Sequence, residues 1–285
     1  MSTQVLLVEC DDRRGLVHAV TGVLLNHGVN VVGNHEFVDR PSARFFMRTE
    51  FEGPEAGSQL ESEVRAVLPS AARVALSIVK RKRIVVLVSK EHHCLGDILI
   101  RQAFGELNAE VLAIVGNHAG LEPLVRKFDL PFHFISHETH TRETHEAELL
   151  RVLEPLQPDY LVLAKYMRVL TPDFVHRFPA RILNIHHSFL PAFAGARPYQ
   201  QAFDRGVKVI GATAHFVTEQ LDQGPVILQD VFHIKVGEDT LEDVKSRGKA
   251  LESEVLARAV QLFVTDQLVV KDKKVIFRPG MSPAP

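Results

Sequence analysis

Leu183-Asn184-Ile185-His186-His187-Ser188-Phe189-Leu190-Pro191 decides how this chain is read. Ile182, Leu183 and Ile185 have the composition of a buried strand end, and Pro191 marks a turn just beyond it. Side chains alternate faces along a strand, so Asn184 and His186 project to one side. An amide and an imidazole thus leave the sheet edge together on rigid backbone. Leu221-Asp222-Gln223-Gly224-Pro225 forms a second turn, between residues 213–217 and 226–232, both of strand composition. Asn184, His186 and Asp222 have the chemistry to polarise a carbonyl, move a proton and orient a water. A histidine at a strand end more often serves structure, so spacing alone does not make this a site.

Around that stretch, residues 84–88, 110–115, 132–135 and 160–163 are short apolar runs separated by helical segments. The alternation predicts right-handed βαβ crossovers and a mostly parallel, Rossmann-like α/β sheet. Ligands of such sheets bind beyond the carboxyl ends of the strands, where strand order reverses. Asn184 and His186 are expected at such an end. Residues 213–217 and 226–232 read as antiparallel edge strands, with Asp222 in their connection. Residues 240–263 read as a long amphipathic helix and residues 268–277 as a hairpin around Lys271-Asp272-Lys273. Residues 281–285 read as a frayed end.

The first 80 residues follow a different pattern. Strand composition at residues 4–9 gives way to Asp11-Asp12-Arg13-Arg14-Gly15, a turn expected to cap a helix carrying Leu16, Val20, Val23 and Leu24 at helical spacing. Gly28 suits the left-handed end of that helix. Extended, extended, helical and extended segments follow, to about residue 79. The order βαββαβ is that of a ferredoxin-like sandwich. Lys80-Arg81-Lys82-Arg83 reads as a solvated linker, dividing the chain into residues 1–80 and 81–285.

Composition excludes several classes. A formal net charge of −2 gives no basic field for nucleic acid. No run approaches a membrane span. Two cysteines, Cys10 and Cys94, are too few for a disulfide framework. The first fourteen residues lack a signal peptide's apolar core, so a cytoplasmic protein is expected. Fifteen histidines raise the question of metal. His133, His137, His140 and His145, with His92, His93 and Cys94, compose a candidate zinc set. Residues 136–145 read as a polar loop with no scaffold to fix ligands, so no metal is expected.

Asn184-x-His186-x-Ser188-x-Leu190-Pro191, then Gly211-Ala212-Thr213-Ala214-His215-Phe216-Val217, then Leu221-Asp222-x-Gly224-Pro225, resembles the formyltetrahydrofolate-dependent formyltransferase fold. Within that superfamily the chain is most similar to the formyltetrahydrofolate deformylases, the branch that hands the formyl group to water. The similarity takes in Lys90-Glu91-His92-His93-Cys94-Leu95-Gly96-Asp97, Lys165-Tyr166-Met167-Arg168-Val169-Leu170 and the N-terminal segment, and so nearly the whole chain. It implies hydrolysis of 10-formyltetrahydrofolate to formate and tetrahydrofolate, with no cofactor beyond the folate. That reaction would balance the one-carbon pool and supply formate for purine synthesis.

The resemblance also assigns residues. Asn184 would hold an oxyanion, His186 would hold it or shuttle a proton, and Asp222 would take the water's proton directly or through His186. Backbone groups at Arg168, Leu170, Thr218 and Glu219 would bind the pterin. His215 would stand behind the site or pack as a core histidine. Ser188 lacks a base partner and would serve the turn. Asp11-x-x-x-Gly15-Leu16-Val17 with Gly28-x-Asn30 resembles the ACT domain, which implies an amino-acid effector at Asp11, Gly15, Gly28 and Asn30 and a homo-oligomer. Relatives that formylate a ribonucleotide carry a glycine-rich phosphate loop where this chain has Ser89 to Gly96, which favours water as acceptor. The competing readings are transfer to an amine acceptor and a non-catalytic folate or amino-acid sensor.

Overall fold

The computed structural model describes residues 2–54, 57–78, 81–138, 140–192, 198–265, 267–271 and 273–277. The expected fray at 281–285, Lys80 of the linker and Asp272 of the last turn lie outside them. The chain divides into two compact units, residues 1–80 with 276–285, and residues 81–275.

In the first unit β1 (Ser2–Asp11), α1 (Leu16–Asn26), β2 (Asn30–Asp39), β3 (Arg44–Gly53), α2 (Ser58–Ala66) and β4 (Arg73–Ile78) follow the βαββαβ order. Their antiparallel sheet runs β2-β3-β1-β4. Leu16, Val20, Val23 and Leu24 of α1, with Leu60 and Val64 of α2, pack on Leu6, Val8, Met47 and Phe51. The expected side-chain cap of α1 is absent. Gly15 occupies the cap at φ 87, and Asp11 instead pairs with Arg44 at 2.8 Å.

The second unit contains β5 (Lys82–Val88), α3 (His93–Ala103), β6 (Ala109–Gly116), α4 (Glu122–Val125), β7 (Phe132–Phe134), α5 (Arg142–Leu156), β8 (Tyr160–Ala164), α6 (Pro172–Arg177), β9 (Ile182–His186), α7 (Pro198–Asp204), β10 (Val209–Phe216), β11 (Val226–His233) and α8 (Leu241–Val264). β12 (Leu268–Lys271) and β13 (Lys274–Phe277) form the last hairpin. Among the described residues the main sheet runs β11-β10-β9-β8-β5-β6-β7. β9, β8, β5, β6 and β7 pair parallel, and β10 and β11 join antiparallel. Lys82 and Arg83 belong to β5, so the basic run is not all linker. The Arg83 backbone N–H donates to Asp159 at 2.7 Å.

Strands covered on both faces read as unbroken apolar runs. Ile84, Val86, Val88, Leu183 and Ile185 face one core with α3 and α8, whereas Val85, Leu87, Leu161 and Ile182 face another with α5 and α6. Asn184 and His186 share the parity of Ile182 and project from the α5/α6 side of β9. Truncating Ile185, 3% exposed, to Ala would cost about 2–5 kcal/mol. Strand order reverses between β5 and β8, at Ser89 and Lys165. Asn184 and His186 therefore lie one strand beyond the reversal rather than on it. Apolar runs reveal strands but not the side of β5 to which the chain returns.

Candidate active site

β10 pairs with β9 so that His215 lies opposite Asn184, and Thr213 opposite His186. The Nδ1–H of His215 donates to the Phe216 carbonyl at 2.8 Å. A carbonyl only accepts, so Nε2 is left to accept from the Asn184 amide at 3.2 Å. His215 is 2% exposed and orients the Asn184 amide. The turn after β9 is held from within. Buried Ser188 donates to the Ala192 carbonyl at 2.8 Å, and Thr213 donates to the Ser188 carbonyl at 2.8 Å.

The connection from β10 to β11 brings Asp222 back to this strand end. Phe216 N–H donates to the Pro225 carbonyl at 2.9 Å, and a Cβ on Gly224 would lie 1.8 Å from the Phe216 carbonyl oxygen. Only glycine lets the loop close this tightly. Asp222 has φ 54, a left-handed conformation that Asp and Asn tolerate better than most residues. Its Oδ2 lies 3.3 Å from His186 Nδ1, and its Oδ1 3.6 Å from His215 Nε2. Contact with His186 holds the carboxyl well below the usual carboxylate range. This contact outweighs burial, which acts in the opposite direction. His186 is 6% exposed, and its Nε2 is buried without a hydrogen-bond partner among the described residues.

Asn184, His186, His215 and Asp222 line a cleft of about 520 Å³ between residues 165–170 and 217–222. Arg168, Leu170, Thr218 and Glu219 line it as well. Met167 N–H donates to Ser89 Oγ at 2.9 Å, and Thr171 N–H to Glu146 at 2.7 Å, which fixes the first of these loops. Met167, Val169 and Leu221 are 64%, 44% and 62% exposed, so they are not core residues. They give the cleft an apolar wall of the kind that accepts a flat ring system. Leu170 instead packs on the core beneath. Glu219 is exposed and pairs with His176.

The histidines of the zinc set do not gather. His137, His140 and His145 each donate a ring N–H to a backbone carbonyl, of Asn117, Ser136 and Ile135 respectively. His145 is buried in α5, because Thr141 caps that helix by accepting from Thr144 N–H. Residues 142–145 are therefore helix, not loop. Among the described residues, the donors that do converge are those of His93, Cys94 and Glu252, within 4.8 Å of one another. Burial pushes the Cys94 thiol up, and Lys165 Nζ already lies 3.0 Å from Glu252.

Sequence reasoning named His93 and Cys94 but missed Glu252. Burial alone would raise the Glu252 carboxyl, yet His93, Lys165 and Tyr199 bring it down to about 2. Neighbouring His187 is pushed down to about 4, first by burial and then by Lys165, so it is neutral at pH 7. A signal was present: Val244, Gly248, Glu252, Val255 and Leu256 fall on the buried stripe of α8, where a glutamate is out of place.

In the N-terminal unit Gly15 and Gly28 have φ 87 and 65, and Asn30 opens β2 opposite Glu52. A hollow of about 290 Å³ beside the end of α1 is lined by His27, Val29, Pro54 and Ser58 among others. Among the described residues, no helix is long and apolar enough to cross a membrane.

The sequence pattern of the formyl transferase family matches residues 82–260, and that of the ACT domain matches residues 4–69. The formyltetrahydrofolate deformylase of Escherichia coli (strain K12) is 48% identical over 276 residues, which cover 97% of this chain and 98% of that protein. The crystal structure of a formyltetrahydrofolate deformylase from Pseudomonas syringae pv. tomato superposes with a TM-score of 0.89 at 34% identity, covering 97% of this chain and 94% of the other. A glycinamide ribonucleotide transformylase from Symbiobacterium toebii superposes with a TM-score of 0.65 at 35% identity, covering 69% of this chain and 94% of its own.

Proposed function

The chain belongs to the formyltetrahydrofolate deformylase family, and from that membership we propose that it hydrolyses 10-formyltetrahydrofolate to formate and tetrahydrofolate at Asn184, His186 and Asp222. The observation that carries this reading is the ring of His186. Its Nδ1 faces the Asp222 carboxylate, and its Nε2 is buried with no partner among the described residues, beside a cleft that His186 lines with Asn184. The resemblance of this cleft's two loops to pterin-binding loops supports folate binding through the backbone of Arg168, Leu170, Thr218 and Glu219.

A carboxylate held as low as Asp222 is by itself a weak base. The His186–Asp222 couple takes the water's proton as a unit: the imidazole supplies basicity and the carboxylate stabilises the charge that results. The Asn184 amide donates to the oxyanion that forms on the formyl oxygen. Charged His186 supports the same oxygen and then protonates N10 as the C–N bond breaks. The products serve the one-carbon pool, and formate is available to purine synthesis. Two buried free cysteines suit the reducing cytoplasm as the compartment.

No metal enters this scheme. Purified protein incubated with 10-formyltetrahydrofolate alone is expected to release formate, and to keep doing so after exhaustive dialysis against a chelator. Activity that returns only with zinc would overturn the scheme, as would absence of formate from well-folded protein.

We also infer regulation through residues 1–80, where the match to the ACT domain supports an amino-acid effector at Asp11, Gly15, Gly28 and Asn30, and self-association through the edge strands of that sheet. A small amino acid is expected to bind with an affinity that depends on folate occupancy, because coupling between two binding sites is reciprocal. Calorimetry showing no binding of any common amino acid would end the effector reading. A monomer in light scattering would end the oligomer.

A further inference from the structure

The active-site cleft shares Lys165, Met167, Arg168 and His187 with a second cavity of about 870 Å³. That cavity lies beyond the carboxyl ends of β5, β6 and β8, and buried Ser89, Asn117 and Lys165 line it. Glu252 of α8 is 1% exposed on its wall. Three donors hold its carboxylate: Lys165 Nζ lies 3.0 Å away, His93 Nε2 lies 2.8 Å away, and the Tyr199 hydroxyl donates to the other oxygen.

Three locally unfavourable choices converge on this network. A buried carboxylate and a buried ammonium both lose hydration, and Lys165 is only 8% exposed. Lys165 has φ 61, where a long L side chain is rare. Gly248 sits inside a helix, where glycine is disfavoured. A Cβ there would lie 2.4 Å from the Tyr199 ring, so glycine is what lets that ring lie against α8 one turn before Glu252. The hydrolysis above uses none of these groups.

We propose that the buried Lys165–Glu252 pair, braced by His93 and Tyr199, is the specificity element that keeps primary amines from the formyl carbon and leaves water as acceptor. The proposal rests on the hydrolase reading above. An amine approaching from the second cavity must pass Lys165 and His187. The carboxylate that would anchor its ammonium is already paired with Lys165, whose side chain lines both cavities. Water is small enough to enter and needs no anchor. With the partition opened, an amine nitrogen would bond to the formyl carbon and lose one proton to the His186–Asp222 couple. The bond to N10 would break, and N10 would gain one proton.

The test uses the full chain with 10-formyltetrahydrofolate and either methylamine or glycinamide, with formate and formylated amine quantified by mass spectrometry. Lys165→Ala combined with Glu252→Gln opens the partition and leaves neither charge buried alone. Its ratio of formylated amine to formate is expected to rise at least about tenfold over wild type, or about 1.4 kcal/mol in the partition. Lys165→Met with Glu252→Gln keeps the bulk and should keep the wild-type ratio. A folded Ala double variant with an unchanged ratio would overturn the proposal, and so would an equal rise in the Met control. The wild-type arm decides even where a variant does not fold. Saturating amine should leave its formate rate and KM unchanged and give no formylated amine, and either competitive inhibition or formylated amine would overturn the proposal. Wild-type protein that releases no formate at all would instead defeat the hydrolase reading.

Discussion

Replacing Asp222 with Asn is expected to lower formate production by at least about 10²-fold, the low end of what general acid–base catalysis contributes. Asn keeps the size of the side chain and tolerates φ 54, so the loop that Gly224 closes onto β10 is not strained by the change. What changes is the group that faces His186 Nδ1 at 3.3 Å. A carboxylate accepts the Nδ1–H and leaves Nε2 free to take a proton from water. An amide can donate to Nδ1 instead, which moves the ring proton to Nε2 and disables it as a base. Folate binding should change far less, because the proposed pterin contacts are backbone groups of other residues. The same substitution has a signature in stability. The Asp222 carboxyl lies below its unfolded value of about 3.9. Its stabilising contribution is therefore present above that value and lost as pH falls through the lower folded one. The variant should unfold at lower urea than wild type at neutral pH, and the gap should close on acidification.

Replacing Asn184 with Ala is expected to cost about 10²–10³ in turnover, the price of one preorganised oxyanion donor. The donor is preorganised by its neighbour across the sheet. His215 fixes its own tautomer through the Phe216 carbonyl and accepts one Asn184 N–H at 3.2 Å. The loss should fall on kcat more than on KM, because the oxyanion exists only after attack. A change confined to KM would show that Asn184 binds the ground state and has no part in the barrier. Because Asn184 and the His186–Asp222 couple serve one attack, the combined loss should be far smaller than the product of the single losses.

Much of the fold was legible because β5 and β8 are buried on both faces, which leaves apolar runs with little alternative to a central strand. The shared face of Asn184 and His186 followed from strand periodicity alone. The strand order did not, since the return past β5 to β8 is a choice of crossover that no local pattern encodes. Helix α5 was misjudged at its start because residues 136–145 are polar, and the cap at Thr141 was overlooked among them. Tertiary chemistry was the least legible. His93, Lys165, Tyr199 and Glu252 are far apart in sequence and meet only once α8 packs against α3 and the sheet. A glycine and a glutamate four residues apart on the apolar stripe of α8 were the available clue. The sign of the Asp222 shift was equally unreadable. Burial and histidine contact act in opposite directions, and distances decide between them.

The most direct test of the central claim, that Asn184, His186 and Asp222 act as one hydrolytic unit, is single-turnover formate release by wild type, Asp222→Asn, Asn184→Ala and the double variant. Each should be accompanied by circular dichroism and by equilibrium binding of a non-hydrolysable folate analogue. The account predicts folded proteins that bind the analogue, single variants slowed at least about 10²-fold, and a double variant only slightly slower than the slower single. A folded Asp222→Asn protein with near-wild-type turnover, or a double variant whose loss is the full product of the two, would contradict it.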